Sequence, residues 1–289
     1  MTVLLTGADG QLSYALQQRL SRTERVVALT HKQLDLTDEA GLVENVLALR
    51  PTVVINGAAY NDVDGAEGDP VTALEVNAFG VRALARAAAL VDATLIHFST
   101  DFVFDGNAEQ PYTEKSPTNP QSVYAISKLL GEWFASESKH YVIRVESLFG
   151  GGVQKHLEGH VRGSSLDRMA DSILCGTEVR AFEDRIVSPS YVEDVADVTV
   201  QLLGMTAPFG LYHCVSTGMA SWFEVAVELA NRLGCPEQVV PITMASVSMK
   251  ARRPRFSALS SAKLASLGVE LPTWQDAISR YAAARLAEG

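Results

Sequence analysis

TVLLTGADGQL, residues 2–12, runs from a short apolar, β-branched stretch into a turn that carries glycines at 7 and 10. Glycine in such a turn permits positive φ and lets the backbone come close to a ligand. The helix that opens at Gln11 and Leu12 would then offer unpaired N–H groups to an anion. Gly7 and Gly10 supply the GxxG part of a pyrophosphate-binding turn, and Ser13 occupies the third small position, where close helix–strand packing is needed. A plain strand–helix turn also uses glycine, so the rest of the chain decides its meaning.

Around and beyond the turn, apolar runs alternate with amphipathic stretches: TVLL (2–5) and a helix over about 11–20, RVVAL (25–29) and a helix over 38–50, TVVIN (52–56) and a long helix within 69–91. TLIHFS (94–99) leads through a loop to another helix, and HYVIRV (140–145) closes the series. Runs that are apolar throughout predict strands buried on both faces, and helices between them imply parallel pairing. Right-handed crossovers then give an α/β fold with a doubly wound parallel sheet of the Rossmann type. At the head of that series the glycine turn reads as a dinucleotide site. After about Gly150 the texture changes, with a Gly- and His-rich stretch at 150–163, helices near 165–175, 192–203, 221–233 and 273–287, and strands at 178–182 and 210–215. The expectation is a dinucleotide-binding domain over 1–150 and a smaller C-terminal α/β substrate lobe over 151–289, with some chain returning to the first core.

Composition narrows the function classes. The 289 residues are 47% hydrophobic, with 24 basic and 34 acidic side chains interspersed, a net charge of −10. That is no nucleic-acid footprint, and no apolar run approaches the length of a membrane span. The start of the chain reads as strand rather than as a targeting segment. Cys175, Cys214 and Cys235 lack CxxC spacing, which argues against a disulfide framework or a zinc site. A cytoplasmic protein of a reducing compartment is the expectation. His156 and His160 have helical i,i+4 spacing, but Leu157 stands where a metalloprotease motif has its Glu, and no metal is nominated. His140 and His213 read as structural or surface residues, and His97 as a core or sheet-face histidine.

The second strand ends in Thr30, His31 and Lys32, without the acidic residue that binds the ribose 2′-OH of NAD. These groups accept a 2′-phosphate, so NADPH is expected, with NADH the alternative. Asp35 is a candidate for the adenine amino group, although Thr37 or Asp38 is better placed to cap the next helix.

In QSVYAISKLLGEW (121–133), Tyr124 and Lys128 are i and i+4 and share one helix face. The plainer reading is a packed Tyr and a solvated Lys. Thr100, however, ends the fourth strand, at the sheet edge where ligands bind. A Lys⁺ about 5 Å from a phenol contributes about 3 kcal/mol at an effective dielectric near 20, about two pKa units toward the working range. Thr100, Tyr124 and Lys128 thus form a candidate set for general acid–base chemistry.

The turn at 7–12, NGAAY (56–60), DVDGAE (62–67), STDFVFDG (99–106) and YxxxK together resemble an extended short-chain dehydrogenase/reductase, and more narrowly the dTDP-4-dehydrorhamnose reductase family. VSPSYVEDVA (187–196), GLYHCVSTGMASWFEVA (210–226), RRPRFSALSSAKL (252–264) and LPTWQDAI (271–278) resemble that family's later blocks. The resemblance implies hydride transfer from NAD(P)H to a 4-keto group of a nucleotide-linked 6-deoxyhexose. It implies Thr100, Tyr124 and Lys128 as the catalytic set. The cofactor would lie along Gly7, Gly10, Gln11, Leu12, Thr30, Asp35, Leu36, Ala58, Ala59, Tyr60, Tyr124 and Lys128. The substrate would meet Thr100, Asp101 and Arg253, the last through a diphosphate. Asn77 either polarises backbone near the site or faces solvent. A homodimer is left open.

Ser13 and Ala125 replace glycines common in the family, and Ser147 stands where it often has Trp. The 150–163 stretch is longer than usual, and both it and Ser147 fall in the substrate region that the resemblance implies. Two other functions share the fold: a sugar-nucleotide epimerase or dehydratase, and a non-catalytic regulatory subunit such as that of methionine adenosyltransferase. Dehydratases carry Asp-Glu after the Thr, whereas Phe102 follows Asp101 here.

Overall fold

The computed structural model describes residues 1–150, 163–205 and 207–288. His156, His160 and nearly all of the Gly- and His-rich stretch lie outside the described residues.

The first half is β1 (Thr2–Thr6), α1 (Gln11–Leu20), β2 (Arg25–Leu29), α2 (Glu39–Leu49), β3 (Val53–Asn56), α3 (Val63–Ala66), α4 (Pro70–Leu74), α5 (Gly80–Leu90), β4 (Thr94–Thr100), α6 (Val123–Ala135) and β5 (His140–Val145). The second half adds α7 (Ser165–Leu174), β6 (Val179–Phe182), β7 (Ile186–Val187), α8 (Val192–Gly204), β8 (Gly210–His213), β9 (Ala220–Ser221), α9 (Trp222–Arg232), β10 (Val239–Ile242), α10 (Ala262–Ala265) and α11 (Trp274–Glu288). Six strands pair in parallel in the order β2-β1-β3-β4-β5-β8. The order reverses beside β1, which places the ligand-binding crevice at the carboxyl ends of β1 and β3. One face of the sheet is covered by α1 and α8, with Leu12, Leu16, Val195 and Leu202 in the core. The other is covered by α2 and α5, with Leu42, Val46, Val81 and Leu84.

The strand read at 210–215 belongs to this sheet as β8, beside β5. Chain after residue 150 is therefore divided. α8 and β8 complete the main sheet, while β6, β7, β9 and β10 form two small ribbons against α7, α9 and α11 around Trp222, Leu229 and Ile278.

The long helix expected within 69–91 is interrupted. Between α4 and α5, Glu75–Phe79 forms a π-helical segment. That wider turn carries Asn77, which is buried, and such segments recur at functional sites. An added Cβ on Gly131 of α6 would lie 2.3 Å from the Asn77 carbonyl oxygen, so glycine there allows the helix to pass against the π segment.

Candidate active site

The carboxyl ends of β1 and β3 are tied together by side chains. Thr6 Oγ1 donates to Asn56 Oδ1 at 2.7 Å, and the same oxygen accepts the Ala58 N–H at 3.2 Å. Gly7 has φ +64°, and an ideal Cβ there would stand 2.7 Å from Ala58 Cα and N. The turns after β1 and β3 thus lie backbone against backbone, at a distance that only glycine permits. Gly10 is the extended N-cap of α1 and supplies no side-chain cap, so the first N–H groups of the helix are left for another acceptor. The side chain of Leu12 is core, and Leu36 is likewise buried in the opposite core, so each would meet a ligand only through its backbone. Gln11 reaches across to α7, where Nε2 donates to Asp167 Oδ2 at 2.7 Å.

Thr30 follows β2 and bonds its own loop, its hydroxyl donating to Gln33 Oε1 at 3.1 Å. Asp35 accepts the Thr37 N–H and hydroxyl at 2.9 and 2.8 Å. The helix cap is Asp38, which accepts from Gly41 N. Ala58, Ala59 and Tyr60 are partly exposed at the crevice. Asn77 is buried and clamps Tyr60 at both backbone groups, accepting its N–H at 2.8 Å and donating to its carbonyl at 3.0 Å. It also donates to Ser127 Oγ on α6 at 3.0 Å. Of its two sequence readings, the structure selects the one that orders backbone at the site.

Thr100, Asp101, Tyr124 and Lys128 are brought together, all buried. Thr100 Oγ1 accepts the Phe102 N–H at 3.2 Å and donates to Asp101 Oδ1 at 3.0 Å. The Tyr124 phenol lies beside this hydroxyl, which favours its phenolate form. The Phe102 ring meets Tyr124 edge-on, with centroids 5.8 Å apart. Ser122 caps α6, and its Val123 N–H donates to Glu67 Oε1 at 2.8 Å. Glu67, at the end of DVDGAE, therefore fixes the end of the helix that presents the Tyr.

The electrostatics differ from the expectation. Lys128 Nζ donates to the Phe98 carbonyl at 2.6 Å. Burial pushes its pKa down to about 8, partly opposed by Glu132. Burial, followed by the Asp101 charge, raises the Tyr124 phenol above its ordinary value. The anticipated depression is thus reversed: desolvation of a phenol in a dry site and the Asp101 charge set its direction, while the Lys128 ammonium, itself disfavoured by burial, faces Glu132.

Sequence reasoning did not nominate Glu146 or Arg185. Thr100 pairs with Val145 in the β4–β5 register, so Asp101 and Glu146 leave adjacent strands side by side. Glu146 is fully buried, and Arg185 is nearly so, stacked over the Phe102 ring at 5.5 Å. The signal was a lone Glu directly after an apolar strand, and it acquires meaning only once the register is known.

Arg253 faces Arg185 but is paired elsewhere. Its two terminal nitrogens donate to Asp64 Oδ1 and Oδ2 at 2.9 and 2.7 Å, and Asp64 also accepts the Ala251 N–H at 2.8 Å. The pairing holds the Asp64 carboxyl down at about 2. His97 is in the core: Nδ1 meets Asn56 at 3.1 Å, while Nε2 has no partner among the described residues.

The family model described as RmlD substrate binding domain matches residues 1–286. The chain belongs to that family. Among its RmlD relatives, a dTDP-4-dehydrorhamnose reductase of Streptomyces griseus is 36% identical over 286 residues, covering 96% of this chain and 91% of the relative. The crystal structure of a dTDP-4-dehydrorhamnose reductase from Clostridium acetobutylicum superposes with a TM-score of 0.92 at 31% identity, covering 100% of both chains. That of the Bacillus anthracis dTDP-4-dehydrorhamnose reductase in complex with NADP gives 0.90 at 31% identity, covering 100% of this chain and 99% of the other. Among the described residues no helix is long and apolar enough to cross a membrane.

Proposed function

We propose that the chain reduces the 4-keto group of a nucleotide-linked 6-deoxyhexose with NADPH, the reaction named for its relatives being dTDP-4-dehydrorhamnose reduction. The observation that carries the reading is the buried Thr100–Tyr124–Lys128 group at the carboxyl end of β4. Its neighbourhood fits the cofactor. The α1 N-terminus lacks a side-chain cap, the Gly7 turn lies against Ala58, and β2 ends in Thr30, His31 and Lys32 without a carboxylate. Gly7, Gly10, Gln11 and the Leu12 backbone would hold the pyrophosphate. Thr30 and its neighbours would hold the 2′-phosphate, Asp35 and Leu36 the adenine side, and Ala58, Ala59 and Tyr60 the path to the nicotinamide.

When bound, NADPH supplies a hydride to the carbonyl carbon. Tyr124 gives its phenolic proton to the carbonyl oxygen; the raised pKa keeps that proton in place until charge develops on the oxygen. Thr100 orients the same oxygen, and Lys128, charged below about pH 8, stabilises the phenolate that forms. Arg253 would take the substrate diphosphate by releasing Asp64, a fork-to-phosphate exchange suited to guanidinium.

The test is oxidation of NADPH, and separately NADH, with dTDP-4-dehydrorhamnose, using wild type and Tyr124→Phe. Turnover by wild type that is lost in the variant, with NADPH binding retained, is the expected result. If wild type binds NADPH but turns over none of a panel of nucleotide-linked keto-sugars, the chain is a binding subunit instead.

A further inference from the structure

Behind Thr100 lies a set of buried charges that do not balance. Asp101, Glu146 and Arg185 are 3%, 0% and 8% exposed, and two carboxyl groups act on one guanidinium through their charges. Glu146 Oε2 accepts the Ser188 N–H at 2.6 Å, and Oε1 accepts the Ser257 hydroxyl at 2.5 Å. The Ser257 hydroxyl also stands beside Asp101 and favours its ionised form. Asp101 Oδ2 and Arg185 Nε are buried and have no hydrogen-bond partner among the described residues. Two other groups face the set: the Tyr124 phenol on Asp101, and Arg253, already paired with Asp64, on Arg185.

Fully ionised, the three residues carry one uncompensated negative charge, which burial disfavours strongly. One retained proton makes the set neutral. Both carboxyls are displaced in that direction by burial, Asp101 up to about 6 and Glu146 well above its ordinary range. Two hydrogen bonds form the ends of a path, Thr100 to Asp101 at 3.0 Å and Ser257 to Glu146 at 2.5 Å, and the Tyr124 phenol beside Thr100 and the Ser257 hydroxyl beside Asp101 complete it when the hydroxyls turn.

We propose that Glu146 stores the proton that refills Tyr124 after each reduction, passing it through Ser257, Asp101 and Thr100. The proposal rests on the reductase reading. Each turnover forms one O–H bond on the product at the expense of the Tyr124 O–H bond. Glu146 first gives its proton to the Ser257 oxygen while the Ser257 hydroxyl proton passes to Asp101. The phenolate then takes the Thr100 hydroxyl proton as Thr100 takes the one now on Asp101, and both hydroxyls turn back to their starting hydrogen bonds. Glu146 is left as a carboxylate beside Arg185, and one proton from solvent restores it before the next cycle. Glu146 touches neither substrate nor cofactor and acts only through this path.

The experiment compares wild type, Glu146→Gln and Ser257→Ala. The Gln variant keeps an acceptor for Ser188 N–H but cannot store a proton. The Ser variant keeps both carboxyls and breaks the path. Expected are a kcat about tenfold lower in each, less than the 10²–10⁴-fold of a group that transfers a proton directly to substrate, unchanged KM values, and partial rescue by imidazolium buffer. Infrared difference spectra of the ligand-free proteins at neutral pH should show the C=O stretch of a protonated carboxyl lost in Glu146→Gln. Wild type active, with kcat and its pH profile unchanged in both variants, overturns the relay alone. Absence of the carboxyl band also overturns it. If wild type reduces no keto-sugar, the reductase reading fails and the relay with it, and the two failures are thereby distinguished.

Discussion

Ser99 and Thr100 are neighbours on β4, and each leads into a buried charged assembly built on an opposite plan. Ser99 donates to Glu132 Oε1 at 2.5 Å, and Arg144 grips the same carboxylate with Nε and Nη2 at 2.8 and 2.7 Å. The remaining Arg144 nitrogen meets His213 Nε2 at 3.3 Å, whose Nδ1 meets the Tyr112 carbonyl. One acid faces one base, and each of these groups has a partner. The Thr100 assembly has two acids for one base and leaves Asp101 Oδ2 and Arg185 Nε unpartnered among the described residues. Tyr124, Lys128 and Glu132 are spaced i, i+4 and i+8, so one helix face serves both. A satisfied buried network holds a fold in one arrangement, whereas an unsatisfied one keeps protons and polar atoms available for chemistry. Substitutions on the two sides should therefore register in different measurements.

The strongest response belongs to the unsatisfied side. Tyr124→Phe should lower kcat by about 10²–10⁴-fold, while the thermal midpoint and NADPH binding stay near wild type. A comparable loss of stability would erase the contrast. On the satisfied side, Arg144→Met should lower unfolding free energy by about 3–5 kcal/mol, because it strands the Glu132 carboxylate in the core. Denaturant unfolding reads this, and adding Glu132→Gln should return part of the loss, since the two residues are directly coupled. kcat of the protein that remains folded should change far less than in Tyr124→Phe. Asn77 belongs to both plans: it is fully bonded, yet it clamps the Tyr60 backbone at the site. Asn77→Ala leaves the Tyr60 N–H without its acceptor and should cost about 1–3 kcal/mol, together with a raised KM for NADPH.

The same contrast marks what the sequence disclosed. Apolar runs alternating with amphipathic stretches gave the strands and helices of the sheet nearly to the residue, because burial on both faces leaves an unbroken pattern. Thr100, Tyr124 and Lys128 were legible as a group, since strand-end position and i,i+4 spacing are local properties. The Asp101–Glu146 pair was not, because residues 45 apart become neighbours only through the β4–β5 register. Nor was the π segment, since hydrophobic spacing carries little information on hydrogen-bond phase within one turn. Asp64 as the partner of Arg253 lies 189 residues away, and nothing in either flank announces it. The sign of the Tyr124 shift was missed for a different reason. A two-charge Coulomb estimate omits both desolvation and the Asp101 charge, and those are the two largest causes.

That sign yields a pH profile. Lys128 is pushed down to about 8, so its ammonium is present below that pH and lost above it. The phenolate forming on Tyr124 then loses its stabilising charge, and kcat should fall about tenfold between pH 7 and pH 9, as expected for one group titrating near 8. Initial rates at saturating substrate and cofactor test this. In Lys128→Met that alkaline limb should vanish, on a lower plateau. Acid titration of Asp101 at about 6 does not enter the alkaline limb.

The weakest response lies outside both assemblies, at the exposed end of the cleft. Arg253 and Asp64 form a bidentate pair in which the carboxylate is substantially exposed, so the pair contributes little to stability, roughly 0–1 kcal/mol. With Asp64 held down at about 2, against an ordinary value near 4, that contribution is present above pH 4 and disappears only as pH falls through about 2. Across the working range the pair is therefore intact, and a substrate diphosphate must displace one anion to reach the guanidinium. Asp64→Asn removes the competitor while leaving the fork in place, and KM for the nucleotide-sugar should drop by at most about fivefold, the equivalent of 1 kcal/mol. Arg253→Ala should raise the same KM and leave kcat near wild type, because the contact is made equally in ground and transition states. If both substitutions move KM in the same direction, Asp64 holds Arg253 in its working position rather than competing with the ligand for it. The exchange would then be replaced by a preformed clamp.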